Sequence, residues 1–367
     1  MGSDGASAEV VRRLEAVAAE YIDALVAWRP GAEPPAVHMV ATTPENVSPD
    51  SNGTLRVGDL LCRRSLTPRG LLATARFWAV VDLLAGVLDR GSTSTLREIY
   101  YRLVYLFDSQ EQSNDIVRDI CAAIECPRHA LGVGASIRGA MHGDFCAWFR
   151  DECIDGRDVG GEGLAIPGSI EIVNSLVLQV RPEVRLVLVI EKMGVFHRLV
   201  HERLCDVVPC VLLCGAGFPS LATRRMLRRL LSSCQEHVSA FALTDYNPHG
   251  VAIFQTYRAG ARRSAATAPE CACPSLQWLG LSSRHIDGLQ RLAPGLGDIP
   301  SQPLTERDWE VSRTLLKDPA ICADRRLVEE IDRMSGVGKV ELQALFTFRQ
   351  RGLSLVDIVA SIVLAPV

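Results

Sequence analysis

The chain has 367 residues, 48% of them apolar and 22% charged, and a net charge of −4. This composition excludes a disordered or fibrous protein and leaves room for about two to three domains with a real core. It also excludes a globally basic nucleic-acid binder, so any such surface must be local.

In chain order, residues 8–28 carry the apolar spacing of an amphipathic helix. Residues 30–54 are rich in Pro, Ser, Thr and Asn and read as a linker or loop, so residues 1–64 are expected to form an N-terminal helix and linker. An apolar-periodic helix is predicted over 67–90, ended by Gly91. Thr95 followed by Glu98 is a capping-box signature, and starts a helix predicted to run to Phe107. Around that helix, Leu96, Ile99, Tyr100, Leu103, Val104, Leu106 and Phe107 fill one apolar arc. Arg97, Glu98, Tyr101, Arg102 and Tyr105 fill the opposite arc. Tyr100 is therefore expected in a core and Tyr101 outside, one turn after Arg97. A phenol has a pKa near 10 and needs a neighbouring cation or metal to act as a nucleophile. Arg97 could supply that cation, or grip a phosphate. An ordinary half-exposed tyrosine on an amphipathic helix fits the same pattern.

Ser113-Asn114 is predicted to start a third helix reaching about Glu125, and residues 129–143, after Pro127, are predicted to form a hairpin, a wing carrying Arg128 and Arg138. Three short helices and a hairpin suggest a winged helix over 65–150, with a plain helical bundle as the alternative. Residues 151–182 read as a Gly-rich junction.

From Val184 the pattern becomes strand–helix alternation. Strands are predicted at 185–190, 208–214 and 238–244, and helices at 195–204 and 221–234; residues 247–250 read as a turn, with a helix following to about Arg258. This is the order of a doubly wound parallel sheet, over residues 183–367 with a C-terminal helical elaboration. Sites in such sheets lie beyond the carboxyl ends of the strands. Two strands end on an acid, Glu191 and Asp245, and Asn247 stands two residues on. Their oxygens suit Mg²⁺, a hard cation that keeps several waters and binds phosphates. A nucleotide-binding sheet would need a Gly-rich loop after its first strand, where this chain has Glu191-Lys192-Met193-Gly194. Further on, Gln277-Trp278 and Leu304 to Asp308 read as helix starts, and Ser335 to Lys339 as a helix N-terminus, with a phosphate-gripping turn between helices as the alternative.

Pairs and clusters of arginine at 63–64, 224–229, 262–263 and 325–326 read as solvated helix faces. The 12 scattered cysteines, several inside apolar runs, read as buried thiols in a reducing compartment. Cys271 and Cys273 lack a matching second pair for zinc. No uninterrupted apolar run approaches the roughly 20 residues of a membrane span, so no membrane association is expected.

Taken together, the motifs resemble the A subunit of the type IIB DNA topoisomerases (topoisomerase VI) and its meiotic double-strand-break branch. The stretches that carry the resemblance are Leu96 to Tyr101, Ile190-Glu191-Lys192 with Val195-Phe196, and Gly215 to Pro219 with Ala222-Thr223-Arg224. Leu243 to Gly250, Trp278 to Leu281, Leu304 to Asp308 and Lys339 to Leu345 continue them in family order. The resemblance implies a mixed α/β and α+β chain, with a winged-helix (CAP-like) domain followed by a Toprim domain. It implies Tyr101 as nucleophile with Arg97 holding the phosphate, and Mg²⁺ at Glu191, Asp245 and Asn247. It implies 5′-phosphotyrosyl double-strand breaks that initiate meiotic recombination, in the nucleus. Two subunits meet on double-stranded DNA, as a homodimer or with a paralogue, and the tyrosine of one works with the metal of the other. An ATPase-type B subunit would join them and confer the ATP-hydrolysing topoisomerase class. Three departures stand out: Asn247 replaces the second Toprim aspartate, Met193 replaces an acid, and Ala216 and Ser220 replace a lysine and an aspartate. They keep open a weakened or non-catalytic DNA-binding subunit, and a somatic A-type topoisomerase subunit is a further alternative. An unrelated Toprim primase or nuclease would leave Tyr101 without a role.

Overall fold

The computed structural model describes residues 3–41, 43–68, 70–134, 137–292 and 299–364. The chain forms two compact units. The first comprises Met1–Ser48, Leu55–Ser136 and Ala261–Pro269, and the second Pro49–Thr54, Ile137–Gly260 and Glu270–Val367.

The first unit is mainly helical. Helices Ser3–Ala27, Leu71–Asp89, Leu96–Arg102 and Gln110–Ala123 enclose a core that includes Leu14, Phe77, Val80, Leu84, Ile99 and Ile120. Leu71–Asp89 stops where predicted, with Gly91 at φ +57, a conformation that glycine adopts without a Cβ penalty. By length and composition alone this 19-residue helix could cross a membrane. The run-based expectation missed it because Arg76 and Asp82 interrupt the apolar letters. Phe77, Val80, Leu84 and Leu88 bury one of its faces in the unit's core, as in a core helix of a folded domain.

Several expectations for this unit need correction. Residues 30–54 are not a plain linker, since Ala36–Val40 is a strand paired antiparallel with Leu61–Ser65. Val37 and Met39 are buried and His38 is exposed, a two-residue alternation too short to stand out among prolines. Buried Asn46 holds the following loop by donating to Ala41 O at 2.7 Å and accepting from Leu60 N at 3.0 Å. The third helix starts at Gln110, four residues before Asn114. Ser109 is its cap, accepting from Gln112 N, and Ser113 is buried inside it. The predicted wing is not formed by the described residues of 129–143, and Arg128–Leu131 is a 3-10 turn. Val133–Gly134 instead pairs parallel with Ser94–Thr95, and Ala140–Gly143 is a strand of the second unit's sheet.

The second unit is built on a six-stranded sheet. Its order is Leu164–Ala165, Ala140–Gly143, Cys210–Cys214, Leu186–Ile190, Ser239–Leu243, Gln277–Trp278. The last four are mutually parallel, three of them as predicted, and every residue of Leu186–Ile190 and Cys210–Cys214 is buried. Such unbroken apolar runs are what a sheet covered on both faces requires. The sheet is nonetheless mixed, because Ala140–Gly143 joins Cys210–Cys214 antiparallel and Leu164–Ala165 joins antiparallel outside it. Helices Met193–His201, Leu221–Ser232 and Pro248–Arg258 follow the three predicted strands. The junction expected over 151–182 holds structure of its own. Glu152–Asp155 and Val177–Val180 pair antiparallel on either side of Phe145–Phe149.

Two helix starts read from the sequence are something else. Gln277–Trp278 is an edge strand, and the helix begins at Ser283. Ser335 to Lys339 is the C-terminal end of helix Arg325–Val337, closed by Gly338 at φ +81. Thr305 does cap a helix, with a complete capping box to Asp308. All 12 cysteines are free thiols; Cys205, Cys210, Cys214, Cys271 and Cys273 are buried and Cys62, Cys153 and Cys322 are exposed.

Candidate active site

In the first unit the site starts from a short helix. Thr95 Oγ1 accepts from Glu98 N at 3.1 Å, which fixes the start of Leu96–Arg102. Ile99 is fully buried and anchors one face. Arg97 and Tyr101 lie one turn apart on the other face. Arg97 Nη2 donates to the Tyr101 hydroxyl at 3.3 Å, and its guanidinium carbon lies 5.5 Å from the centre of the phenol ring. This contact raises the Arg97 pKa above its ordinary value. Tyr101 is 58% exposed, while Tyr100 is half-buried, so the adjacent tyrosines differ as the helical spacing predicts. Thr95, Arg97, Glu98, Tyr101 and Arg102 line an open groove of about 430 Å³. The Glu98 carboxylate pairs with Arg102 at 3.4 Å.

The arc predicted for this helix is too long. The helix ends at Arg102, and one 3-10 turn follows over Val104–Leu106. Val104, expected in the core, is 48% exposed, because the 100° step no longer applies past Leu103.

In the second unit, Glu191 and Asp245 are brought together by the register of two parallel strands. Ile190 stands opposite Leu243, so the residues beyond them emerge side by side. Both acids are buried, and Asp245 N donates to Glu191 Oε2 at 3.0 Å. Burial, and then the charge of Asp245, push the Glu191 carboxyl up to about 7. Burial also raises Asp245, against the opposing pull of the Leu342 N–H and Lys192. Asp245 Oδ1 accepts from Leu342 N at 2.8 Å, and Lys192 Nζ lies 3.0 Å from Asp245 Oδ2. Gly250 is required beneath this turn, since a Cβ there would stand 2.3 Å from Asp245 O.

Asn247 is placed close by but already has a task. Its Oδ1 accepts from Gly250 N at 2.8 Å and caps helix Pro248–Arg258. Among the described residues no group of three or more His, Cys, Asp or Glu is arranged to hold a metal ion. Two buried carboxyls that burial raises, Glu191 further by the charge of Asp245, are what a hard divalent cation would relieve. Mg²⁺ is commonly held by one or two carboxylates, with waters and substrate phosphate completing its shell. Glu191 and Asp245 fit that requirement.

The departures from the family pattern have local structural readings. Ala216 adopts φ +53, a left-handed conformation that costs a residue with a Cβ about 1 kcal/mol. Gly217 N beside it donates to Glu191 O at 2.9 Å. Ser220 caps helix Leu221–Ser232 by accepting from Thr223 N at 3.0 Å, as an aspartate would. Of the four arginines of that helix only Arg228 is exposed as a solvated face requires. Arg224 is buried, Arg225 donates to Asn174 Oδ1 and Glu270 O, and Arg229 to Leu176 O. Arg63 pairs with Glu33, Arg64 with Asp119 and Arg325 with Glu329, while the side chains of Arg262 and Arg263 lie outside those described.

Sequence reasoning missed the strand-like strap that closes the acid site. Tyr246 N donates to Val340 O at 2.8 Å and Val340 N to Tyr246 O at 3.0 Å. Next to this bridge, Glu341 Oε2 lies 3.7 Å from Lys192 Nζ. Lys339 Nζ holds the strap's start by its 3.0 Å bond to the buried carboxylate of Asp308.

A parallel sheet with paired acids at its carboxyl edge, in one chain with a helical unit that presents an arginine-backed tyrosine, defines a class of Toprim-containing DNA-breaking enzymes. The family profiles agree. The Toprim-domain profile of Spo11 and the topoisomerase 6 A-type subunits matches residues 186–356, and the profile "Type IIB DNA topoisomerase" matches residues 73–133. The meiotic recombination protein SPO11-2 of Oryza sativa subsp. japonica is 32% identical over 293 residues, 78% of this chain and 73% of the relative. SPO11-2 of Arabidopsis thaliana is 30% identical over 280 residues, covering 75% and 70%. Meiotic recombination protein SPO11 of Homo sapiens is 26% identical over 303 residues, covering 81% and 73%. The chain belongs to the family of Spo11 and the topoisomerase 6 A-type subunits.

Proposed function

We propose that this chain is a topoisomerase-like DNA transesterase that makes the double-strand breaks of meiotic recombination. Family membership carries the activity, and the exposed Tyr101 hydroxyl with Arg97 Nη2 3.3 Å away carries the assignment of the nucleophile. The Tyr101 oxygen attacks a backbone phosphorus in line. A Tyr–O–P bond forms and the P–O3′ bond breaks; the tyrosyl proton is lost and the departing 3′ oxygen is protonated. The guanidinium of Arg97 stabilises negative charge developing on the phosphate and the attacking oxygen. A divalent cation bound at the acid site would supply charge neutralisation to the phosphate oxygens. Glu191 and Asp245 would hold that cation, with Asn247 able to offer only the remaining lone pair of its carbonyl. The 5′-phosphotyrosyl product consumes no water and keeps the bond energy for resealing.

Two copies of the chain, or one copy and a paralogue, acting on opposite strands give a staggered break. The helical unit would dock double-stranded DNA in the manner of a winged helix, although its two-stranded antiparallel ribbon is Ala36–Val40 with Leu61–Ser65. An ATPase-bearing B-type subunit is the expected partner, and chromosomal DNA in the nucleus the expected substrate. The test is incubation of the chain and a B-type partner with end-labelled duplex DNA and Mg²⁺. A denaturation-resistant protein–DNA adduct is expected, and its absence under all metal conditions contradicts the proposal. The engagement of Asn247 Oδ1 as a helix cap favours a second reading, a DNA-binding subunit with weakened or lost catalysis.

A further inference from the structure

The acid site contains a cation of its own. Lys192 Nζ lies 3.0 Å from Asp245 Oδ2 and 3.7 Å from Glu341 Oε2. Asp245 Oδ1 already accepts from Leu342 N at 2.8 Å, which leaves Oδ2 the freer of the two oxygens for a metal. That oxygen is held by an ammonium. An ammonium and a divalent cation repel strongly at such short range, so Lys192 has to release Asp245 when a metal binds there. The structure gives it a second acceptor. The bridge between Tyr246 and Val340 fixes the backbone beside Glu341, whose side chain is 51% exposed and able to follow the ammonium outward.

The charge count makes this acceptor matter. Asn247 adds no charge, and the ionised Glu191 and Asp245 carboxylates with one ammonium leave a net of one negative charge. Glu341 restores a second. We propose that Lys192 and Glu341 form a counter-ion relay. Lys192 neutralises Asp245 in the metal-free site and passes to Glu341 as the divalent cation arrives. Glu341 is then a positioning residue, acting on metal affinity through Lys192 and not as a ligand. The relay rests on the proposed reading of Glu191 and Asp245 as the cation site.

Mn²⁺ binding to the full chain, measured by electron paramagnetic resonance without DNA, tests it. Glu341→Gln is expected to weaken Mn²⁺ about tenfold, in the range seen when residues supporting metal ligands are lost. Lys192→Met is expected to tighten binding. In the Lys192→Met background, Glu341→Gln is expected to change affinity by less than about twofold, because the group it acts through is gone. Recovery of binding in the double variant also shows that the fold is intact. Equal losses in both backgrounds, or no loss from Glu341→Gln, overturn the relay while leaving the cation site standing. Mn²⁺ binding unaffected by Glu191→Gln overturns the cation-site reading, and the relay with it.

Discussion

The backbone N–H of Asp245 donates to Glu191 Oε2 at 3.0 Å, tying the carboxyl ends of two neighbouring parallel strands. The bond links two buried acidic residues, and it orients the Glu191 side chain by a backbone group that the strand holds in place. The acid pair is thus a product of sheet register, and changes in the turn beyond Asp245 are expected to register in metal binding.

Gly250→Ala is the sharpest change to that turn. The new Cβ would meet Asp245 O at 2.3 Å and Thr244 Oγ1 at 3.0 Å. Displacing a backbone carbonyl in a packed site costs about 1–3 kcal/mol. Urea denaturation should show a loss of that size, together with weaker Mn²⁺ binding; wild-type values for both would contradict the geometry.

Asn247→Asp should strengthen metal binding without disturbing the helix it caps, because aspartate caps as well as asparagine. An added carboxylate near the acid pair is expected to tighten Mn²⁺ about tenfold, the order produced by other changes around metal ligands. Unchanged affinity in a titration would mean that position 247 only caps helix Pro248–Arg258.

His285 makes stability depend on pH. Burial, then the charges of Arg326 and Arg284, lower its pKa to about 4, and its Nδ1 accepts from Ser282 N at 3.3 Å. The unfolded chain binds this proton near pH 6.5, whereas the folded chain resists it until about 4. The contribution is therefore fully present above about pH 6.5 and is lost as pH falls towards 4. Chemical denaturation at pH 7.5 and 5 should show the decline, and His285→Gln should flatten it.

Arg97→Ala is expected to slow adduct formation about 10²-fold, the order associated with removing one donor aimed at developing charge. Arg97→Lys should recover only part of the rate, since an ammonium lacks the planar fork. Neither change should alter stability by more than about 0.5 kcal/mol, because the Arg97 side chain is exposed. Single-turnover cleavage and thermal melts would check the two together.

Much of this was legible in the sequence, for identifiable reasons. The apolar runs ending at Ile190 and Leu243 announced buried strands, and the next acids marked their carboxyl ends. Thr95 and Glu98 announced the cap beneath Tyr101. The missing features depend on pairing between distant segments. Ala140–Gly143 reads locally as half of a hairpin, yet its partner is Cys210–Cys214. The bond from Leu342 N to Asp245 spans 97 residues, and no periodicity links the two ends, so neither it nor the Lys192–Glu341 contact could be read beforehand. Val104 failed for a different reason: the helical step was extended past the residue where the helix stops.

The most direct measurement is to map the residue that carries DNA. After cleavage of duplex DNA, the trapped adduct would be digested with nuclease and protease, and the nucleotide-bearing peptide sequenced by mass spectrometry. The account predicts a 5′-phosphotyrosyl group on Tyr101 and no adduct in Tyr101→Phe. An adduct on Tyr100, or on Tyr105, which is 77% exposed and lies on the same stretch, would contradict it, as would one that persists in Tyr101→Phe.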